Sequence, residues 1–508
     1  METDKQKELI TLLNVKSIES YNEDESLDII LNLIEYSFEL DTDNGTKRAI
    51  ELTKGINPES QFPTKRTLFH YFISIAWSDI RIKNNGVPES WEWNHSEYEQ
   101  EIIHLRNALK YFNPETIDHP VIRLCQIHTN LANSMDFCGR FVSAFENWNA
   151  AIDIDNQFAM ALGAKGNSMI YHGLNSLYDK GHQSIYLGLG YQYLKQSIKH
   201  PLESYALKQY TDKIKYLGIK YPWVNEYDPN LNETENCSSE EKEYRDWCLN
   251  KTLFLNPLND IGYFKVAKHD PFALPSMIIG TEKAGSYHSF FNQIKQEYVS
   301  SRLFLFKGLN DLENHFADKG VLKYDLLDQS IQSVKLEQVK ISYRIAYSIF
   351  DKISYFLNYY LDLKIPERRV NFRSIWFDKN EELKDVFKAK PNLMFRALYW
   401  ISKDLFYKNS DYTSALEPDA AEFAKIRNHI EHKGFRVFED STFKGLELPV
   451  FEDRISYSLS YNEFVGKTQK LLKLAREAIM YLSLGIRWEE RIRSTSNDSD
   501  PAIQINVF

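Results

Sequence analysis

The chain has 508 residues, 43% of them hydrophobic and 14% aromatic, and a net charge of −10. That apolar share buries real cores and excludes wholesale disorder, and the length predicts two to four domains. An acidic chain is not a whole-surface, sequence-blind nucleic-acid binder, although a local basic site stays open. Glycine and proline, 20 and 16 residues, make up about 7%, against roughly 12% on average. That shortage disfavours turn-rich sandwiches, barrels and Rossmann sheets and favours long helices. Cys125, Cys138, Cys237 and Cys248 form no C-x-x-C and no zinc spacing, so buried reduced thiols are expected. The charged start lacks a signal core, and no stretch reaches the roughly 18 apolar residues of a membrane span. A cytoplasmic protein without membrane, metal or cofactor is the expectation.

From about residue 25 to 220 helix follows helix. Leu27, Ile30, Leu31, Ile34 and Phe38 recur at threes and fours and draw one helical face. Further helices are predicted over Thr46–Gly55, Thr67–Lys83, Tyr98–Tyr111 and Pro120–Met135. Residues 125–158 read as a helix, a turn at Cys138–Gly139, and a second helix with Phe141, Ala144, Trp148 and Ala151 on one face and Asn156 at its end. This 34-residue unit resembles a tetratricopeptide repeat. Its neighbours fit more loosely, around Arg48-Ala49, Arg106–Ala108 and Ala161–Tyr171, with an insertion at Tyr71–Asn94. An irregular helical bundle is the other reading. Either presents a stacked helical surface of the kind that binds proteins or peptides.

Tyr221–Cys237, with Pro222, Pro229 and a polar run, reads as a linker. After it, Glu240–Asn250 is helical with Tyr244, Trp247 and Cys248 inward, and Leu253–Leu258 and Pro271–Pro275 are irregular connections. Helices are predicted over Ser286–Asn310 and Tyr324–Leu361. Four helical segments then dominate: Lys335–Leu361, with Ile341, Ile345, Ile349, Ile353 and Leu357 four apart; Leu393–Tyr407; a third opening at Pro418 and capped by Gly434; and Ser460–Arg493. Phe435–Val450 between the last two suggests a short hairpin. The result is an up-down four-helix domain. The expected organisation is a helical-repeat domain over 1–220, a linker over 221–239, a connecting region over 240–334, the four-helix domain over 335–495 and a tail over 496–508. Residues 335–494 hold 28 Lys+Arg against 23 Asp+Glu, so the acidity belongs to the rest of the chain.

The third segment ends in Arg427-Asn428-His429-Ile430-Glu431-His432. Asn428 and His432 share a helical face, and so do His429 and His432, while Arg427 lies about 140° from His432. His432 falls in the last turn, where the helix dipole favours positive charge. A histidine that moves a proton beside an always-charged guanidinium is equipment for phosphodiester cleavage. Arg427 and Glu431, four apart, also read as a surface ion pair, His432 as a cap for the last carbonyls, and His429 as structural. Trp376, Phe377, Tyr399 and Trp400 offer stacking faces, but the last two fall at core spacing. There is no P-loop and no H-E-x-x-H.

Arg427-Asn428-x-x-x-His432 resembles the R-x4-H signature of HEPN domains, and it stands near the end of the third helix, as in that family. The runs Tyr244–Asn250, Leu253–Asp260, Ser348–Ile353 and Lys473–Ile479 resemble a bacterial HEPN subfamily with tetratricopeptide-like repeats upstream. The resemblance covers roughly residues 240–495. It implies an all-α fold, a helical solenoid followed by a HEPN-type four-helix domain. It also implies a dimeric, metal-independent endoribonuclease that leaves a 2′,3′-cyclic phosphate. On that pattern Arg427 stabilises charge, His432 is general acid or base, and Asn428 orients substrate or His432. Asp351 on the first helix, with Lys352 beside it, and His429 are supporting candidates. Antiphage or toxin-type systems are the expected setting, with RNA as substrate and a protein partner at the repeats. The rival is a non-catalytic dimeric scaffold, or an RNA- or nucleotide-binding protein, whose repeats bind a partner.

Overall fold

The computed structural model describes residues 4–85, 92–175, 179–229, 237–279, 286–310, 315–321, 330–405, 416–440, 455–495 and 503–505. These are overwhelmingly α-helical, and the fold class is all-α. The chain divides into two units, Met1–Pro229 with Leu416–Pro418, and Asn230–Ala415 with Asp419–Phe508.

The first unit is a succession of helices packed in chain order. It runs α1 (Asp4–Leu13), α2 (Glu23–Glu39), α3 (Asn44–Thr53), the short α4 (Pro58–Gln61), α5 (Arg66–Asn85), α6 (Ser96–Lys110), α7 (Pro120–Phe137), α8 (Phe141–Ile154), α9 (Ala159–Asn175), α10 (Lys180–Ser197) and α11 (Ser204–Lys220). The closest pairs are α5 with α6, α7 with α8 and α9 with α10. The α7–α8 turn follows from Gly139. Its φ of 87° is open to glycine at low cost, and it lets Gly139 N–H reach Asp136 O and Arg140 N–H reach Met135 O, both at 2.9 Å. Phe141, Ala144, Trp148 and Ala151 are all buried, and the Trp148 indole N–H donates to Asn133 Oδ1 at 3.2 Å.

Three details differ from the sequence reading. Helix α8 ends at Ile154, two residues before Asn156. Tyr71–Asn85, expected inside an insertion, belongs to α5 and pairs with α6. The first half of the expected linker is folded. Pro222–Glu226 is a 3-10 turn whose Val224 is buried in the cluster formed by Leu194, Tyr210 and Leu217, and Tyr191 Oη donates to Asn225 Oδ1 at 2.6 Å. An apolar residue embedded in a polar run was enough to dock it.

The second unit starts with α12 (Ser239–Asn250) and the short α13 (Leu258–Ile261). It continues through β1 (Met277–Ile279), α14 (Ser286–Asn310), α15 (Val334–Tyr360), the short α16 (Asp385–Lys388), α17 (Leu393–Leu405), α18 (Ala420–His432), β2 (Gly434–Phe438), β3 (Ser456–Ser460), α19 (Tyr461–Thr495) and β4 (Ile503–Ile505). Helix α14 packs along α15, α19 crosses both and also holds α17, and α18 lies against α15 and α17. Thus α14, expected in a connecting region, is a principal partner of the first long helix of the expected four-helix domain. β4, in the expected tail, pairs antiparallel with β1.

The run Leu253–Asp260, irregular up to the short α13, is buried and held by two arginines. Arg476 of α19, 1% exposed, donates to both Asp260 carboxylate oxygens at 2.6 and 3.0 Å and to the carbonyls of Phe254 and Asn256. Arg302 of α14 donates to both Asp270 oxygens at 3.0 and 2.9 Å, to Leu253 O and to Tyr244 Oη. A chain segment without regular structure leaves carbonyls unpaired, and burial requires that something satisfy them.

The stripe at fours on α15 is only half buried. Ile349, Ile353 and Leu357 are in the core, but Ile341 and Ile345 are partly exposed, and Leu336, Val339, Tyr343 and Ala346 replace them. A repeat of four advances 400°, so it drifts off any one face within a few turns. Helix α15 begins at Val334, where Ser333 caps it by accepting from Leu336 N at 3.1 Å; residues 324–329 of the longer helix expected there lie outside the described residues. Helix α18 begins at Ala420, two residues after Pro418. Gly434 is not a left-handed cap but the first residue of β2, which pairs with β3 in parallel, so the expected hairpin is instead a parallel pair. A Cβ on Gly434 would lie 2.9 Å from the Ser456 Cβ. Residues 441–454 and 406–415 lie outside the described residues. Tyr399, Trp400 and Trp376 are buried, as core spacing indicated for the first two. Burial pushes the Cys125 and Cys248 thiols up to about 11 and about 12, so neither is primed as a nucleophile.

Candidate active site

Helix α18 buries Phe423, Ala424 and Ile426 and turns its C-terminal end outward. Its position over α15 is set by two contacts a turn or two apart. Tyr343 Oη donates to Phe423 O at 2.8 Å, and Arg344 grips Glu431 with both prongs, Nε to Oε1 at 2.8 Å and Nη2 to Oε2 at 3.1 Å. Glu431 therefore pairs across helices rather than with Arg427. Its carboxyl is held below the usual range by the Arg344 hydrogen bond, with the charges of Arg344, Arg427 and His432 acting in the same direction.

Arg427 points back toward α15. Its Cζ lies 5.8 Å from the centre of the Tyr347 ring, and Nη1 donates to Asn428 Oδ1 at 3.2 Å. One turn further along α15 is Asp351. Burial raises its carboxyl above the ordinary value, while the nearby Arg427 charge and a backbone hydrogen bond from Phe372 pull the other way without overcoming it. Asp351 thus lies within reach of the arginine's charge. Lys352 does not join them; its ammonium pairs with Glu297 of α14. His432, the last residue of α18, is exposed, as is Asn428. His429 Nδ1 bonds to Lys425 O at 2.8 Å, with its ring 5.6 Å from that of Tyr457, so it is engaged on the far side of the helix from Arg427.

The structure therefore sets Arg427 against Asn428 and Tyr347, with Asp351 within range of its charge, places His432 at the open end of the same helix, and leaves His429 and Lys352 out. Sequence reasoning missed Arg344 and Tyr347. Their signal was present: Arg344, Tyr347 and Asp351 fall at i, i+3 and i+7, a polar line along one face of the helix. What the arrangement can do is hold an anion at Arg427, shuttle a proton at His432 and admit a large substrate, because nothing roofs the α18 end among the described residues.

No helix of the described residues is long and apolar enough to cross a membrane. Neither the curated proteins nor the solved structures contain a match to the chain. The LA2681-like HEPN family model matches residues 279–489, about two-fifths of the chain. That span holds Asp351, Arg427, Asn428 and His432 and leaves out α12 and the Leu253–Asp260 run; over it, this all-α chain is similar to the LA2681-like HEPN family.

Proposed function

We propose that the second unit is a metal-independent endoribonuclease, and the observation that carries this is the Arg427–Asp351–Tyr347 cluster beside an exposed His432. The attacking group is the RNA 2′-hydroxyl. Its oxygen forms a bond to the adjacent phosphorus while the bond from phosphorus to the 5′-oxygen breaks. His432 takes the 2′-hydroxyl proton or supplies one to the leaving 5′-oxygen, and the products are a 2′,3′-cyclic phosphate and a 5′-hydroxyl. Arg427 holds the charge that builds on the phosphorane oxygens, and Asn428, hydrogen-bonded to Arg427, orients it toward substrate. In an in-line displacement the entering 2′-oxygen and the leaving 5′-oxygen lie on opposite sides of the phosphorus, so one imidazole does not reach both. The exposed α18 end accordingly suits a homodimer in which two copies of His432 share the two proton transfers. The first unit, a stack of helix pairs similar to tetratricopeptide repeats, is the arm that senses a protein partner, and antiphage defence or a toxin-type system is the setting.

The test is cleavage of total RNA by the purified full chain with EDTA present. Arg427→Ala and His432→Ala are each expected to lower the rate by about 10²–10³-fold, with cyclic-phosphate ends on the wild-type products. Equal cleavage by wild type and both variants rules the assignment out. Absence of cleavage together with a stably bound protein partner favours the scaffold reading.

A further inference from the structure

Residues 365–374 form a strap that runs back along the outer face of α15. Its register is set level by level. Asn358 clamps Ile365 in both directions, Nδ2 to Ile365 O at 3.0 Å and Ile365 N to Oδ1 at 3.1 Å. Tyr355 Oη donates to Glu367 O at 2.8 Å, and Tyr359 Oη donates to Glu367 Oε1 at 2.7 Å. The Phe372 backbone reaches Asp351. Continuing the same way along α15, Tyr347 meets Arg427 and Arg344 meets Glu431. The strap and the end of α18 thus lie on one helical ruler and meet at Asp351. Tyr355 stands about 6 Å from Asp351 along it.

The strap is rigid where it must be and cationic where it is open. Val370 and Phe372 are buried, Phe372 against Phe350 of α15, and the Asn371 side chain accepts from the amides of Arg373 and Ser374. With both apolar residues anchored inward, Arg368 and Arg369 are left exposed, and neither guanidinium forms an ion pair with a described residue. Lys364–Ser374 carries four cations and one carboxylate, and Tyr359 already bonds that carboxylate. Two exposed arginines fixed at one end of a phosphodiester-cleaving cluster match the repeating charge of a single polynucleotide strand.

We propose that this strap is the backbone track of the site, with Arg368 and Arg369 taking phosphates of single-stranded RNA next to the scissile one. The proposal rests on the nuclease reading and names the residues that hold its substrate. The probe is a fluorescein-labelled single-stranded RNA oligonucleotide, bound to full-length His432→Ala protein so that it stays intact, with affinity read by anisotropy between about 50 and 200 mM salt. Adding Arg368→Ala and Arg369→Ala is expected to weaken binding about tenfold and to flatten the slope of log K against log salt by about 1.4, two contacts at about 0.7 each. Arg368→Lys with Arg369→Lys keeps the charge and should keep most of the slope. In the otherwise wild-type chain the alanine pair should raise KM more than it lowers kcat. If the wild type cleaves RNA through His432 but the alanine pair binds with unchanged affinity and slope, the track is wrong and the nuclease reading stands. If the wild type neither binds nor cleaves RNA, the nuclease reading falls and the track falls with it.

Discussion

The two units satisfy their buried polar groups over different distances in the chain. In the first, partners are neighbours: Trp148 with Asn133, Lys165 with Tyr193, Ser168 with Asp136 and His70 with His104 are separated by 15, 28, 32 and 34 residues. In the second, Arg476 reaches Asp260 across 216 residues, Tyr360 reaches Glu490 across 130, and Asn392 reaches Glu489 across 97. A unit built from neighbours behaves as a one-dimensional stack, in which damage stays near its source. A unit closed by distant pairs holds or fails as a whole, and it folds more slowly for the same reason. The candidate site belongs to the closed unit. Catalytic geometry tolerates errors of about half an ångström, which favours side chains fixed by elements that cannot move independently.

The sharpest way to break that comparison is Asp260→Ala. It leaves Arg476 buried with its charge uncompensated, held only by two carbonyls. Removing one member of a buried pair costs about 3–5 kcal/mol. Hydrogen exchange should therefore rise together across α12, α14 and α19 and change little in α5–α10. Opening confined to residues 253–260 would show that the second unit is not closed by this pair.

Gly166→Ala probes the first unit with a smaller effect. Helices α9 and α10 touch through two glycines: a Cβ on Gly166 would lie 2.8 Å from Gly190 O, and one on Gly190 would lie 2.9 Å from Gly166 O. Both obstacles are backbone, so the helices must separate, at a cost of about 1–3 kcal/mol. If the unit is a stack, exchange accelerates in α8–α11 and stays as it was in α2 and α3. Uniform acceleration from α2 to α11 would argue for a single cooperative block.

What the sequence shows of these two regions differs in the same way. The α7–α8 pair was legible because its turn glycine, its aromatic face and its partners all lie within a 34-residue window. The elements of the second unit were legible as helices, and the Arg427–His432 run stood out because polar chemistry crowded one helix end. The pairing of Arg476 with Asp260, the parallel strands and the strap along α15 were not. Each depends on residues far apart in the chain, and no local periodicity encodes them. Asp351 was reachable through family resemblance, whereas only the α15 register puts Arg344 and the strap arginines in line.

The smallest expected effect concerns acid and again falls in the first unit. His70 and His104 bond Nδ1 to Nδ1 at 3.0 Å between α5 and α6, with His70 stacked against Tyr111 and Arg66 lying over the same ring. Such a bond needs one nitrogen protonated and the other bare, so at least the accepting ring is neutral. Burial, with the other histidine and Arg66 adding to it, pushes His70 down to about 3, and burial pushes His104 down to about 4. Both lie below the unfolded value near 6.5. The unfolded chain therefore binds protons that the folded one does not. The stabilisation is complete above pH 6.5 and is lost as the pH falls toward the folded values, at up to about 1.4 kcal/mol per pH unit for each ring. Between pH 7 and pH 5.5 exchange in α5 and α6 should quicken, after correction for the intrinsic rate, while α14 and α19 change less. His104→Gln should make that pH dependence shallower by about one proton. An unchanged slope in this variant would place the acid sensitivity elsewhere and leave the pair as packing alone.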